Sequence, residues 1–384
     1  MKRFHGQPAA AILCPTSSRQ VHRLGHPLAE ESDMGESGRS IEAGRTLALL
    51  VVTATAAGLL QACGGDEGND GDVGSASTPA SSTSAAPLPE AEDVAALGAL
   101  NVPARPYPDF MLAVDQTVWV SGVEPGIVGY DATTGDVRAQ VATQEVPLAM
   151  EQGFGAVWAG EGTGDLFATL LRIDAATGTV TARIPLPEPG LRVESSLAVT
   201  DDAVWGLVDG DGDQRLLVAV DPATNTVKDT FPAPEAAEAL RGGFGSLWVA
   251  TSQQSVVRVD PADGSTEATI DTGFGSRFMA VSDDAVWVMN QDDGTVTRID
   301  PEGDSVAATI QVSDGRIPGG DIAAGDDAVW VRTESELATM VDPGNDEVTR
   351  VLGPAAGSGS VAVTDGAVWL TAHDDFVVQR VPTA

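Results

Sequence analysis

The sequence is short of cysteine, histidine and basic residues, and each shortage argues against a class of function. It contains 2 cysteines and 4 histidines. Cys14 lies in an N-terminal leader and Cys63 in a processing motif, so we expect no disulfide and no thiol chemistry in the folded body. The body has one histidine, His373, which makes a His-based zinc site improbable. The 21 Lys and Arg face 56 Asp and Glu, and such an acidic chain repels the phosphates of nucleic acids.

The N-terminal part also lacks an apolar run long enough to span a membrane. The run at 47–60, LALLVVTATAAGLL, has about fourteen residues, whereas a transmembrane helix needs roughly 20. That length is typical of a signal peptide. Leu60-Gln61-Ala62-Cys63 follows and resembles the bacterial lipobox, in which the cysteine carries the lipid after cleavage. We predict a signal peptide over 34–62 and lipidation at Cys63; the alternative is an ordinary signal peptide with a chance cysteine.

The segments on either side of this predicted signal peptide differ from it in composition. Residues 1–33 contain no useful apolar run, so we predict that translation begins at Met34 and that the first stretch is a start-codon artefact. Residues 63–92 are rich in Gly, Ser, Asp, Ala and Pro, a composition that buries too little apolar surface to fold. We expect a disordered tether that joins a lipid anchor in the cell membrane to a folded body at 93–384 on the extracytoplasmic face.

The body repeats around tryptophan. The spacings between successive tryptophans are 39, 47, 43, 39, 43 and 39 residues. These tryptophans are Trp119, Trp158, Trp205, Trp248, Trp287, Trp330 and Trp369. A second motif, clearest in VVRVDPADGST at 256–266, contains an Asp and, in four units, a Gly or Asn four residues later that suits a hairpin corner. The pattern predicts an all-β, seven-bladed β-propeller of four-stranded antiparallel blades, with one tryptophan packed between each pair of neighbours.

The last unit ends too soon after Trp369 to supply its own outer strand. VAALGAL at 94–100 resembles the outer strand VAATIQV at 306–312. We therefore predict that residues 94–100 complete the seventh blade, which would close the ring with an N-terminal strand and remove a free sheet edge.

One stretch carries a family resemblance. VWVMNQDDGTVTRIDPEGDSVAATI at 286–310 resembles the YVTN-type β-propeller repeat, and the resemblance extends over about residues 94–384. It implies an exported binding or surface protein. A more distant resemblance is to virginiamycin B lyase, an enzyme with a catalytic histidine and a metal-assisted site. The blades of that enzyme carry an acidic position after the aromatic residue, and here only Glu161 comes close.

Four arginines lie in the loops that link one unit to the next, at the end of a propeller channel where ligands commonly bind. They are Arg105, Arg192, Arg277 and Arg316. Guanidinium groups around one mouth could capture a carboxylate, phosphate or sulfate. The alternative is that they pair with local acids such as Glu194 and Asp314. His373 is either a lone base at the same mouth or a surface-loop histidine.

Two further motifs are better explained by a structural role than by ligand or cofactor binding. The alternating acids of Asp209–Asp213 could offer oxygen ligands to Ca²⁺, but the twelfth position is Val220, which favours an exposed acidic hairpin. The seven tryptophans share one blade position, so packing accounts for them better than a quinone cofactor. The sequence predicts a monomer with no cofactor, no metal and no catalytic residue. We expect a non-catalytic binding or scaffold module for an envelope protein or a small anionic ligand; the alternative is a lyase or hydrolase acting at the channel mouth.

Overall fold

The computed structural model describes residues 87–383 apart from 105–106, 165, 188, 193–194 and 374. These residues belong to one compact unit, Ala80–Ala384. The predicted leader, the signal peptide with Cys63, most of the predicted tether and Arg105 lie outside the described residues. Within them, every helix or strand assigned is a β-strand.

The strands pair in antiparallel groups of four that succeed one another along the chain. The first three groups are β3 (Pro108–Val114), β4 (Thr117–Gly122), β5 (Ile127–Asp131) and β6 (Val137–Val141); β7 (Val146–Gly153), β8 (Ala156–Thr163), β9 (Leu166–Asp174) and β10 (Thr179–Pro185); and β12 (Leu197–Val199), β13 (Val204–Asp209), β14 (Arg215–Asp221) and β15 (Thr226–Pro232). The second and third groups share one nine-stranded sheet, because β11 (Gly190–Leu191) pairs with both β9 and β13.

The remaining groups repeat the same order. They are β16 (Ala237–Gly243), β17 (Ser246–Thr251), β18 (Ser255–Val259) and β19 (Thr266–Asp271); β20 (Ser276–Val281), β21 (Val286–Asn290), β22 (Thr295–Asp300) and β23 (Ser305–Gln311); β24 (Asp321–Ala324), β25 (Val329–Arg332), β26 (Ala338–Asp342) and β27 (Glu347–Gly353); and β28 (Val361–Thr364), β29 (Ala367–Ala372), β30 (Val377–Pro382) and β2 (Leu100–Pro103). A short strand, β1 (Glu92–Asp93), pairs in parallel with β27.

Burial is greatest in the second strand of a group and lowest in the last. The tryptophan strands are buried on both faces, as in β17 and β29, where every residue is buried. Their Val- and Leu-rich sequences are typical of a strand with no face exposed to solvent. The last strands are largely exposed; β15, with the sequence TVKDTFP, has no buried residue. The inner strand of each group is partly buried, and its first residues line the interior cavities described below.

Each tryptophan packs against the group that follows it. Trp119 shares a cluster with Val157 and Leu171 of the second group. Trp369, in the last group, shares one with Met111 and Val118 of the first. The inner strands contact one another in the order β3, β7, β12, β16, β20, β24 and β28, and β28 contacts β3. The prediction that tryptophan fills the space between neighbouring units is confirmed.

The strand that completes the last group is not the one predicted from residues 94–100. Leu100–Pro103 pairs with β30, and only Leu100 belongs to the predicted segment. Residues 94–98 form a turn, in which the Asp93 carboxylate accepts the Ala95 N–H at 2.9 Å and Gly98 has φ +79°. The prediction was wrong because VAALGAL only imitates a strand pattern: alanine favours strands weakly, and the Asp93 and Gly98 positions favour a turn.

Candidate functional site

Two adjoining cavities run along the inner strands. The first has a volume of about 160 Å³ and lies where these strands begin. Each of the four-stranded groups contributes to its lining, through Met111, Met150, Leu197, Arg241, Phe278, Asp321 and Ser360 among others. The second, of about 530 Å³, follows the later residues of the same strands. Arg241 and Asp321 line both cavities, so they lie where the two meet.

One inner-strand position distinguishes the groups from one another. It is the residue that pairs directly with the tryptophan of the next strand. In four groups this residue is alanine: Ala198, Ala280, Ala323 and Ala362. Leu112 holds the place in the first group, Glu151 in the second and Arg241 in the fourth. Glu151 and Arg241 therefore put charges where the repeat favours a small apolar residue.

Arg241 is half-buried and is held mainly by backbone oxygens. Its Nη1 donates to Leu240 O at 2.9 Å and to Leu197 O at 3.4 Å, and its Nη2 donates to Ser195 Oγ at 3.4 Å. Among the described residues no carboxylate oxygen comes within 4 Å of its guanidinium, and Nε has no acceptor. Arg241 thus keeps donors and charge available beside the cavity.

The two carboxyl groups nearest Arg241 have shifted pKa values. Burial raises the pKa of Asp321, and the Ser360 hydroxyl, which donates to Asp321 Oδ2, and the charge of Arg241 offset this only in part. Burial likewise raises the pKa of Glu151 against the opposing effect of Arg241. Both side chains touch the cavities yet are enclosed by protein, so water there compensates their charge poorly. Burial therefore shifts both groups toward the neutral acid relative to an exposed carboxyl.

Of the four arginines predicted to surround the channel mouth, the structure describes three, and one of these three lines the first cavity. Arg277 lines the first cavity. Arg192 pairs with Glu238 at 2.6 Å and with Asp209 at 3.5 Å. Arg316 is exposed and pairs with Asp292 at 2.6 Å. Arg105 lies outside the described residues, and the structure brings Arg277 together with Arg241, which was not among the predicted residues.

His373 lies in an aromatic cluster and not in the cavity lining. Its ring centroid is 4.9 Å from that of Tyr107, which is also 4.9 Å from that of Phe376. Tyr107 directly precedes β3, whose first residues line the first cavity. The cluster is therefore placed beside the end of the inner strands where the first cavity lies.

Comparisons with known proteins give a fold and no family. No protein-family model and no curated protein matches the chain. Among solved structures, U3-55K has a TM-score of 0.60 at 10% sequence identity, covering 74% of this chain and 98% of that one. BamB from Moraxella catarrhalis has a TM-score of 0.47 at 13% identity, covering 70% and 80%. Such neighbours are β-propeller-like proteins, and the likeness to U3-55K supports a β-propeller architecture for the four-stranded groups.

The YVTN and virginiamycin B lyase resemblances stay predictions. Glu161, the residue nearest the acidic position of the lyase, is 4% exposed. It forms an ion pair with Arg183 and accepts the backbone N–H groups of Gln144 and Glu145, at 2.5 and 3.2 Å. Its oxygens are thus occupied by structural contacts.

The acidic hairpin at Asp209–Asp213 is likewise paired with cations. Asp209 accepts from Arg192 and from Arg215 Nε, at 3.5 and 3.3 Å, while Asp211 is exposed. Within the described ranges there is no group of three His, Cys, Asp or Glu side chains placed to hold a metal ion. The same part of the chain has no helix long and apolar enough to cross a membrane.

Arg332 was also missed by the sequence analysis. It is fully buried, and its guanidinium donates to backbone carbonyls, including Leu337 O at 2.9 Å, Gly357 O at 2.8 Å and Thr371 O at 3.1 Å. Burial lowers the pKa of Arg332 to about 10, so it remains charged at neutral pH. It fixes the loop that leads to Ser358–Ser360 in the cavity lining.

Proposed function

We propose that this chain is a lipid-anchored, extracytoplasmic, seven-bladed β-propeller that acts as a non-catalytic binding module for a small anionic ligand. The lipobox-like Leu60–Cys63 supports the anchor. The strand groups, their tryptophan packing and the contact between β28 and β3 support seven blades arranged in a ring. The likeness to U3-55K supports the propeller.

The observation that carries the binding function is the pair of arginines in the first cavity. The chain has a formal net charge of −35, so its surface repels anions at long range. Arg241 and Arg277 are recessed among inner strands, and salt screens distant surface charges beyond about 8–10 Å. An anion that enters the cavity therefore meets two guanidinium groups among the charged groups of the lining.

The binding proposal is tested with the full mature chain carrying Cys63→Ser, which keeps it free of lipid. Calorimetry and thermal shift would be run against sulfate, phosphate and small carboxylates at fixed ionic strength. We expect at least one anion to bind, and the double substitution Arg241→Gln with Arg277→Gln to abolish its binding. If none of these anions binds, or if the double variant binds as the parent does, the proposal fails.

The anchor has a separate test. In a bacterial host, the parent chain should incorporate labelled palmitate and sediment with membranes, and Cys63→Ser should do neither. A parent chain that is exported but remains unlabelled would show an ordinary signal peptide instead.

A protein partner is the second candidate, favoured by exposed aromatic rings beside the first cavity. Tyr107 and Phe376 are each 41% exposed and Phe274 is 56% exposed. Exposed clusters of large apolar residues commonly mark protein contacts. Cross-linking on intact cells should then capture one defined envelope protein, and Phe274→Ser with Phe376→Ser should remove it. Capture that is unaffected by the substitutions would exclude this surface.

A further inference from the structure

The most unusual group in the first cavity is Arg241, because its position is not explained by the repeat. The repeat arginines Arg258 and Arg298 lie over Trp248 and Trp287, at 5.3 Å from guanidinium to ring, and bond the turn of the following group. Arg241 instead occupies the inner-strand position where most groups have alanine. Its side chain lines the cavity, where it also bonds Leu197 O and Ser195 Oγ of the preceding group.

The hydrogen bonds of Arg241 leave one side of the guanidinium open. A guanidinium has five N–H donors, and Nε with one N–H of Nη2 forms a side-on fork that matches the two oxygens of a carboxylate. In Arg241 the Leu240 and Leu197 carbonyls take Nη1, and Ser195 Oγ takes one N–H of Nη2. The contacts that hold the group thus orient it and leave Nε and one N–H of Nη2 without an acceptor among the described residues.

The rest of the lining limits the size and charge of the occupant. Phe110, Met111, Met150, Leu197 and Phe278 contribute apolar side chains to a lining whose accessible surface is otherwise largely polar. The volume of about 160 Å³ is below that of pockets for drug-sized ligands, which begin near about 300 Å³. Asp109 offsets part of the charge of the two arginines of the lining, and Asp321 offsets less than an exposed carboxyl would, because burial raises its pKa. This balance accommodates one negative charge better than the two or three charges of a phosphate ester.

We infer that the first cavity binds a small organic monocarboxylate with a compact apolar body, its carboxylate docked on Nε and Nη2 of Arg241. Its apolar body contacts Phe110 and Phe278, which the first and fifth groups contribute to the lining, and Ser358 and Gln291 offer further polar contacts. This inference rests on the proposed function and narrows it to one ligand chemistry.

The test uses the full mature chain with Cys63→Ser, and the probes are benzoate and isovalerate. Benzamide and isovaleramide are the matched neutral probes, and sulfate and phosphate are the matched inorganic anions. We expect calorimetry to show binding of at least one carboxylate and no binding of its amide. Arg241→Gln should weaken that binding by about ten- to a hundredfold, the range for losing charge-assisted hydrogen bonds.

Two further variants make the result specific. Arg241→Lys keeps the charge and loses the fork, so it should also weaken carboxylate binding by about tenfold or more. It serves as the test if Arg241→Gln does not fold. Arg138→Gln removes the same charge from an exposed position on β6 and should leave affinity unchanged.

Each outcome bears on one of the two proposals. Binding of an amide as tight as that of its carboxylate, or full affinity in Arg241→Lys, overturns the carboxylate assignment. Binding of sulfate or phosphate alone, lost in the Arg241 variants, overturns that assignment and leaves the anion-binding function standing. No binding by any anion overturns both.

Discussion

The buried side chain of Arg332 holds several backbone segments together near the first cavity. Its guanidinium reaches carbonyls of β29, of the loop after β25 and of the loop at Ala356–Gly357. Among the described residues no carboxylate comes within 4 Å of it. Its charge is therefore compensated by backbone dipoles, each of which would lose its partner if the side chain were removed.

We predict that Arg332→Met lowers the free energy of unfolding by about 3 kcal/mol, since it strands several buried carbonyl groups. Urea unfolding monitored by tryptophan fluorescence measures the change. The control, Arg316→Met, alters an arginine whose side chain is 69% exposed, and should change stability by less than about 0.5 kcal/mol. Equal losses in the two variants would mean that the carbonyl contacts of Arg332 contribute little.

Asp321 gives a prediction about pH. Burial raises its pKa above the usual 3.8, so the folded chain binds this proton more tightly than the unfolded chain does. Stability must then fall as the pH rises from the ordinary carboxyl range through the raised value. Asp321→Asn stays neutral and still accepts from Ser360. The melting temperature of Asp321→Asn minus that of the parent should therefore increase between pH 4 and pH 8. For Asp211→Asn, at an exposed site, this difference should stay constant.

At the scale of the strand pair, the repeated hairpin corner is the element that recurs most regularly. Gly135, Gly178 and Gly264 have φ between +68° and +77°, and Asn225 has φ +55°, as the sequence predicted for this position. Asp304 and Asp346 adopt φ +47° and +58° at the corresponding corners. The corner needs a residue with positive φ. Gly adopts this conformation without strain, and Asn and Asp adopt it at a small energetic cost.

The corner at Gly264 leads to a prediction that separates backbone strain from crowding. A Cβ there would lie 2.6 Å from Phe231, whose ring stacks on Trp205 at 6.0 Å, whereas a Cβ at Gly155, with φ +68°, meets nothing within 4 Å. Both alanine substitutions incur the left-handed cost of about 1 kcal/mol. Gly264→Ala should lose about 1–3 kcal/mol more, from overpacking. Chemical unfolding compares them; equal losses would show that Phe231 moves aside freely.

Regular features were predictable because they are local. The four strands of a unit and the tryptophan between units follow from short-range patterns that recur along the chain. The outer strand of the last group did not follow, because its register depends on pairing between residues about 280 positions apart, as in Leu100 with Arg380. A local pattern cannot fix such a register.

The site was predictable only in part, for a related reason. Arg277 was singled out as a linking-loop residue, whereas the structure places it in β20, where it lines the first cavity. Arg241 was overlooked because it occupies a regular strand position. The signal was nevertheless present: aligning the units on their tryptophans shows alanine in four of them where the fourth unit has Arg241. Function in a repeat protein is found where a unit departs from its neighbours.

For the whole molecule, the contact between the first and last groups decides whether the sheets form a continuous assembly. Trp369 packs on the first group, Arg380 Nε donates to Ala132 O at 2.9 Å, and β2 covers the outer edge of β30. Arg350 ties Glu92 of β1 to β27 at 2.9 Å, and this hydrogen bond lowers the pKa of Glu92. The pairing of β2 with β30 covers a sheet edge that could otherwise pair with other molecules.

The contribution of β2 is tested by two substitutions two residues apart. Val102 is 7% exposed and packs with Met111, Tyr130 and Trp369, whereas Leu100 is 40% exposed. Val102→Asp buries a carboxylate among these apolar groups, so we predict a loss of roughly 3 kcal/mol in unfolding free energy. With β2 displaced, the uncovered edge of β30 should also promote self-association, visible by light scattering coupled to size exclusion. Leu100→Asp should remain monomeric and lose less than about 1 kcal/mol. If Val102→Asp showed the same self-association and the same loss of stability as Leu100→Asp, β2 would not stabilise the junction between the first and last groups.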